Sequence, residues 1–260
     1  MFGLTVITVF CLMALFAPWI APYSETEIVG IEFAPWSGDF ILGTDNLGRD
    51  MATRLIFGAR NTIGIAVVTT VLAFLVGGLL GMVAGTLRGW VDQVLGRTVD
   101  ILMAVPSLIF TMLLLSIFGT SIASMIIVIA AVESTRIFRL ARSLALGIGV
   151  LDYVEAAKLR GEGLGWLIAR EILPNAVAPL IAEFGLRFCF VFLFIASLSF
   201  LGLGIQPPTA DWGSMVRENA ALITYGDITP LLPAGATALL TVAVNFVVDW
   251  MLHRSSGLKD

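Results

Sequence analysis

Few side chains in this chain could perform covalent or acid–base chemistry. His253 is the only histidine, and Cys11 and Cys189 both lie in apolar runs, so the sequence favours no metal site, disulfide or Ser-His-Asp arrangement. Lys158 and Lys259 are the only lysines, and neither follows the glycine-rich loop that cradles ATP phosphates. We therefore expect no catalytic residue, no metal site and no bound cofactor in this chain.

Charged side chains are concentrated instead in one stretch, DYVEAAKLRGEGLGWLIAREILPN, which spans Asp152–Asn175 and carries seven charges in 24 residues. Asp152 is a residue type that caps helices, and the pattern after it predicts a helix that runs to Arg160. Three glycines at alternate positions then favour a sharp turn. A second helix is expected at Trp166–Ile172 and should end before Pro174.

A short helix with small residues and a charged rim is typical of a segment that docks into a groove of another protein. Glu155 and Arg160 are the predicted rim contacts, and Ala156 and Ala157 allow close approach. The alternative is a solvated amphipathic loop without a partner.

The composition indicates an integral membrane protein. Of the 260 residues, 58% are hydrophobic and 13% are charged, and the mean hydropathy is +0.97. Soluble domains carry roughly 25% charged residues. The net charge of −4 argues against nucleic acid as a partner.

Uncharged runs predict the number of membrane crossings, because a spanning helix needs about 20 apolar residues. The runs are 1–24, 61–87, 101–132, 188–210 and 228–248. The third would be about 48 Å long as one helix, and the turn signal Gly119-Thr120-Ser121 divides it into helices at about 100–118 and 121–139. The sequence therefore predicts an all-α membrane protein with about six transmembrane helices, or five if this division is wrong.

The orientation follows from arginine and lysine, which are more frequent in one set of predicted loops than in the other. Both chain termini and Asp152–Asn175 are therefore expected in the cytoplasm. Residues 1–22 are predicted to be a retained first transmembrane helix rather than a cleaved signal peptide, because no positive charge precedes the apolar run. Residues 23–60 then form an outer segment, 61–252 the main membrane domain and 253–260 a cytoplasmic tail.

The second half of the outer segment, Leu42–Thr62, is predicted to form a turn followed by an amphipathic helix on the membrane surface. Asp45 and Asn46 are candidate caps, and Arg49 and Arg54 are expected to face the lipid headgroups. The apolar residues expected to lie on the membrane are Met51, Leu55 and Ile56.

Small residues recur at every fourth position of the second predicted span. They are Ala73, Gly77, Gly81, Gly85 and Gly89. Small residues at this spacing lie on one helix face and let two backbones approach closely in lipid. We expect this helix to pack centrally, against another span or a partner subunit, with Gly77, Gly81 and Gly85 at the contact.

Two charges, Glu183 and Arg187, are four residues apart within the fifth predicted span, towards its cytoplasmic end. Two interpretations stay open, namely a mutual ion pair and a role on a transport pathway. No series of acidic residues crosses the predicted spans, so a proton relay is not supported.

The residues of the charged stretch resemble a known family motif. Glu155-Ala156-Ala157, Gly161 and Leu173-Pro174 occur in the order of the EAA motif of ABC importer permeases. Three further segments are similar to the C-type subunit of the dipeptide, oligopeptide and nickel permeases. They are LGTDNLGRD (Leu42–Asp50), EILPNAVAPLI (Glu171–Ile181) and SFLGLGIQPPTADWG (Ser199–Gly213).

This resemblance, which covers nearly the whole chain, implies a type I importer transmembrane domain whose loop 150–175 carries a coupling helix. The residues that it assigns to docking on an ATPase are Glu155, Ala156, Ala157, Arg160, Gly161, Leu173 and Pro174. It also implies a sibling permease as heterodimer partner, two ATP-binding subunits that hold ATP and Mg²⁺, and a periplasmic or lipid-tethered substrate-binding protein. The expected location is the cytoplasmic membrane of a bacterium or archaeon.

The resemblance implies import of peptides or related small solutes, but the sequence does not select among dipeptides, longer peptides, nickel chelates, glutathione, opines and glycans. The alternatives are a self-sufficient secondary carrier or channel, and an exporter or scaffold subunit with the same docking device.

Overall fold

The computed structural model describes residues 1–255, in which the regular secondary structure is helical and two isolated β-bridges join Ile28 to Arg49 and Thr44 to Asp50. The predicted all-α class is thus confirmed. The helices are α1 (Phe2–Leu15), α2 (Ala17–Ile20), α3 (Met51–Leu87), α4 (Gly89–Ala104), α5 (Ser107–Phe118), α6 (Ile122–Ile148), α7 (Asp152–Leu159), α8 (Leu164–Trp166), α9 (Leu173–Phe200), α10 (Trp212–Asn219) and α11 (Leu231–Ser255).

Helices α3 and α6 form the most extensive helix pair of the fold. The glycines of α3 lie against the α6 backbone. A Cβ atom on Gly81 would lie 2.5 Å from the Phe138 carbonyl oxygen, and one on Gly85 would lie 2.7 Å from the Arg142 carbonyl oxygen. Gly77 faces the Ser134 carbonyl in the same way. Helices α1 and α9 pack on α3, and α11 packs on α1 and α9.

The long apolar run divides near the predicted turn, where α5 ends at Phe118 and Ser121 caps α6 through the Ser124 N–H at 3.1 Å. The helix predicted from about residue 100 is wrong, however, because the chain breaks at Val105 and bends by 92° between α4 and α5. Pro106 explains the break, since a proline excludes the residue before it from the helical region.

Within residues 1–255, three helices are long and apolar enough to cross a membrane, or four if the bent pair α4–α5 forms one span. They are Met51–Leu87, Leu164–Phe200 and Leu231–His253. Helix α1 is apolar but shorter, and α6 carries four charged residues, Glu133, Arg136, Arg139 and Arg142. The count of six crossings therefore stays a prediction. Of the predicted tail 253–260, residues 256–260 lie outside the described residues.

The turn and the helix predicted within Leu42–Thr62 are present, but the predicted place of this helix on the membrane surface is wrong. Helix α3 begins at Met51, capped by Asp50 through the Thr53 N–H at 2.7 Å, and continues without a break into the membrane-spanning part. Met51, Arg49 and Arg54 are all buried. The two arginines turn inward because carboxylates of the protein, rather than lipid headgroups, neutralise them.

Candidate functional site

The candidate docking element is α7, which lies between the two long helices α6 and α9. Leu151, not Asp152, occupies the capping position, and it does so without a side-chain hydrogen bond. Asp152 and Glu155 stand in the first turn instead, where negative charge is favourable for the helix dipole. The helix ends one residue before the predicted end, at Leu159.

A glycine turn closes α7. Gly161 has a φ of +83°, and its N–H donates to the Lys158 carbonyl at 3.0 Å, while the Glu162 N–H donates to the Ala157 carbonyl at 3.2 Å. These two bonds form a Schellman motif, whose left-handed position strongly favours glycine. The turn fixes the angle at which the chain leaves α7 for α8.

The two faces of α7 differ in burial. Val154 and Ala157 are fully buried and pack with Leu167 and Ile148. The other side chains of α7 and its C-cap are exposed, among them Tyr153, Glu155, Ala156, Leu159 and Arg160. Leu159 is 84% exposed. We call these five residues the α7 face.

Two cations attach this region to the end of α6. Lys158 Nζ donates to the Gly149 carbonyl at 3.0 Å, and Arg88 Nη2 donates to the Leu146 carbonyl at 3.3 Å. Carbonyls at a helix end lack partners within the helix, so cations there satisfy them and complement the dipole. Arg160, in contrast, lies over the Trp166 ring at 5.8 Å and pairs only loosely with Glu162, at 3.8 Å.

The helix stop predicted at Leu173-Pro174 is wrong. A wide π-helical turn at Leu167–Ile172 leads directly into α9, so that Leu164–Phe200 forms one helix. Proline has no N–H to donate to the preceding turn, and the wide turn before it accommodates that loss. Leu173 and Pro174 are exposed at the start of α9 rather than part of the α7 face.

At the outer end, a buried ion cluster joins Glu218 of α10 to residues 45–54, which lead into α3. Asp45 Oδ2 lies 2.7 Å from Arg49 Nε and 3.2 Å from Arg54 Nε, and both arginines reach Glu218 Oε2 at 3.3 Å. Asp45 also accepts from the Leu47 N–H at 2.8 Å, so it shapes a turn instead of capping a helix. The cluster therefore holds the outer segment and α10 on the start of α3.

Around this cluster, α10 is fastened to α3 by further buried contacts. Trp212 donates from Nε1 to the Leu55 carbonyl at 3.0 Å, and Thr62 Oγ1 donates to Asp211 at 3.0 Å. Burial raises the pKa of the Asp211 carboxyl above its usual value, although the hydrogen bonds from Ser214 and Thr62 act in the opposite direction.

We expect Arg54→Met to destabilise the outer layer by about 3–5 kcal/mol, because removing one partner of a buried ion pair leaves carboxylates poorly compensated. Thermal unfolding of the purified protein in detergent measures the effect. Arg60, which is exposed on the same helix, is the matched control. Equal unfolding temperatures for Arg54→Met and Arg60→Met would contradict a stabilising role for the cluster.

Two family models match this chain. One, described as "Binding-protein-dependent transport system inner membrane component", covers residues 77–256, and the other, "N-terminal TM domain of oligopeptide transport permease C", covers residues 1–35. The chain belongs to the binding-protein-dependent permeases. It is therefore a multi-pass ABC importer permease subunit, with the type I transmembrane domain, and not itself the catalytic subunit.

Curated relatives agree with this membership. The permease is 34% identical over 260 residues to "Dipeptide transport system permease protein DppC" of Alkalihalophilus pseudofirmus, covering 99% of this chain and 83% of that protein. It is 38% identical over 260 residues to "Di/tripeptide transport system permease protein DppC" of Pseudomonas aeruginosa, covering 97% and 82%. It is 34% identical over 245 residues to "Probable D,D-dipeptide transport system permease protein DdpC" of Escherichia coli, covering 94% and 82%.

A solved structure has the same fold. It is described as the crystal structure of an amino acid ABC transporter with histidines, and it matches this permease with a TM-score of 0.57 at 18% identity. The match covers 78% of this chain and 94% of that chain. Family membership excludes the self-sufficient carrier or channel and the exporter that the sequence left open.

Sequence reasoning missed several residues of these sites. Tyr153 and Leu159 were not selected, although each is a large apolar residue directly beside a charged one on a short helix. Glu218 could not be found, because 169 positions separate it from Arg49. The predicted pair of Glu183 and Arg187 is confirmed, with Nε and Oε1 2.5 Å apart.

Proposed function

We propose that this permease imports peptides or related small solutes and that α7 is its coupling helix, docked in a cleft of an ATP-binding subunit. The observation that carries the proposal is the division of α7 into two faces. The exposed α7 face is available to a partner, and the buried face, Val154 and Ala157, packs on the turn that continues into α9. Movement of α7 is thereby passed to a helix that is long enough to span the membrane.

The mechanism follows from this geometry. ATP binding in the partner subunits draws them together, and each moves the helix docked in it. Because the Schellman turn at Gly161 fixes the exit from α7 and Lys158 ties α7 to the end of α6, α6 and α9 receive the displacement as a unit. The path between this permease and a sibling permease then alternates between outward-facing and inward-facing states.

The remaining parts of the transporter lie in other chains. Two ATP-binding subunits supply ATP and Mg²⁺, and a periplasmic or lipid-tethered binding protein delivers the solute to the outer layer. The assembly is a heterodimer of permeases in the cytoplasmic membrane of a bacterium or archaeon. The printed names of the three relatives, which concern dipeptides and tripeptides, support peptides as the cargo class.

Purification of the tagged permease from its native membrane in mild detergent, followed by mass spectrometry, tests this proposal. We expect a sibling permease and one or two P-loop ATPases to co-purify. Leu159→Asp is the informative variant, because it adds a charge to the α7 face at an exposed position. It should lose the ATPase and keep the sibling permease. A wild-type chain that elutes alone or as a homo-oligomer would contradict the proposal.

A further inference from the structure

Four charged side chains meet where α6 passes α9. Arg187 Nε lies 2.5 Å from Glu183 Oε1, and Arg187 Nη1 lies 3.5 Å from Glu133 Oε2. Arg136 Nη1 lies 3.7 Å from Glu133 Oε1. We call Glu133, Arg136, Glu183 and Arg187 the charge cluster. It contains two positive and two negative groups.

The charge cluster lies far from the helix ends, and not towards the cytoplasmic end as the sequence suggested for Glu183 and Arg187. At 1.5 Å per residue, Glu133 is about 16 Å from the outer end of α6 and Arg187 about 20 Å from the outer end of α9. The hydrocarbon layer of a bilayer is about 30 Å thick. In the orientation predicted above, the cluster is therefore near the middle of the membrane.

The contact between Glu133 and Arg187 is an ion pair without a hydrogen bond. Glu133 is buried, with 3% of its side chain exposed, and its Oε2 faces the Nη1 of Arg187 at 3.5 Å. Among the other side chains, 39% of Arg136, 21% of Glu183 and 15% of Arg187 are exposed. The Arg187 guanidinium also covers the Phe190 ring at 4.9 Å.

Because these charged side chains are partly exposed near the middle of the membrane, the helix surface around them is poorly suited to being covered by lipid. A charged side chain at mid-membrane is costly against lipid, and such groups face a water-filled cavity or other protein. In a permease that forms a path with a sibling, the path supplies such a space. The cluster thus marks the side of α6 and α9 that borders the path.

We propose that the charge cluster is a site on the translocation path for the charged ends of a zwitterionic solute. Arg187 pairs with the carboxylate, and Glu133 and Glu183 pair with the ammonium. The solute exchanges its ends for the internal ion pairs, so no charge is left uncompensated at either stage. When the solute leaves, the internal pairs form again, which keeps binding weak enough for release. This proposal rests on the proposed function.

The first test concerns access of water and needs no cargo. In a variant whose Cys11 and Cys189 are replaced by serine, Glu183→Cys is exposed to a charged, membrane-impermeant methanethiosulfonate reagent. Ile181→Cys is the matched control, since Ile181 is exposed on the opposite side of the same helix. We expect labelling at position 183 to be at least about tenfold faster, because only water-accessible thiols react. No labelling at position 183, with or without ATP, would overturn the proposal.

The second test separates a path site from a structural ion pair. The assembled complex in proteoliposomes is assayed for ATP-driven uptake of alanyl-alanine and for ATP hydrolysis. Arg187→Met should lower uptake at least about tenfold while hydrolysis continues, and Arg187→Lys should retain part of the uptake. The double variant Glu133→Gln/Arg187→Met keeps the remaining charges balanced.

The double variant decides between the two roles. If the pair is only structural, the balanced double variant regains wild-type uptake, and the proposal is overturned. If the pair binds the solute, uptake stays low in the double variant although the complex is assembled. A wild-type complex, with its binding protein, that hydrolyses ATP but takes up no alanyl-alanine would contradict dipeptide cargo in the proposed function, whereas failed labelling at position 183 would overturn the path site alone.

Discussion

Gly161→Val is expected to abolish transport while the permease still inserts and assembles. Gly161 has a φ of +83°, a conformation that costs an L-residue roughly 1–2 kcal/mol and a β-branched residue more. No atom would crowd a Cβ at this position, so the backbone conformation alone is affected. The Schellman turn is then lost, and α7 leaves α6 and α9 at a different angle. Uptake in whole cells, with membrane content by immunoblot, measures the outcome.

Two variants give this prediction its controls. Gly161→Asn should retain part of the uptake, because asparagine tolerates the left-handed region better than other residues. Gly163→Ala should transport normally, since Gly163 has a φ of −75° and open space around it. Wild-type uptake by Gly161→Val would show that the turn has no part in coupling, whereas poor membrane content would shift the explanation to folding.

The second large effect is expected at the contact of α3 with α6. Gly81→Ala places a Cβ 2.5 Å from the Phe138 carbonyl oxygen. This oxygen belongs to the backbone of α6, so a side-chain rotation cannot relieve the clash. The helices must separate along their most extensive contact, and overpacking of this kind costs about 1–3 kcal/mol. We expect a clear loss of monodisperse protein in detergent and a lower unfolding temperature, both measured by fluorescence-detected size-exclusion chromatography after heating.

Gly78 supplies the matched control. It lies on the same helix, and no atom is within 4 Å of a Cβ built on it. Gly78→Ala should therefore leave the protein intact, and its higher helix propensity favours a small gain in stability. If Gly81→Ala and Gly78→Ala behave alike, close backbone approach does not determine the packing of this pair.

Signals that are local in the sequence predicted structure well. The end of α7 followed from glycine at position 161, because only glycine adopts its backbone conformation readily. The close contact of α3 with another helix followed from the glycines at every fourth position, because residues four apart lie on the same face of a helix. The site's role in docking stays a proposal, since geometry alone shows an exposed helix and not its partner.

Contacts between distant segments could not be predicted. Arg54 was expected to face lipid headgroups, because nothing near it in the sequence indicates that Glu218 lies beside it. Arg187 was expected to pair only within its own helix, yet it also pairs with Glu133 of α6. Pro174 was taken as a stop from its local effect on the backbone, which the wide turn before it offsets. In each case the fold supplies a partner or a geometry that local patterns do not encode.

Site-directed crosslinking of α7 tests the central claim most directly. In the variant without Cys11 and Cys189, Glu155→Cys and Leu159→Cys place thiols on the α7 face, and Val154→Cys places one on the buried face. In native membranes with a bifunctional thiol reagent, the first two should crosslink to an ATP-binding subunit, and Val154→Cys should not. A complete failure at both exposed positions, with the ATPase present, would contradict the assignment of α7 as the coupling helix.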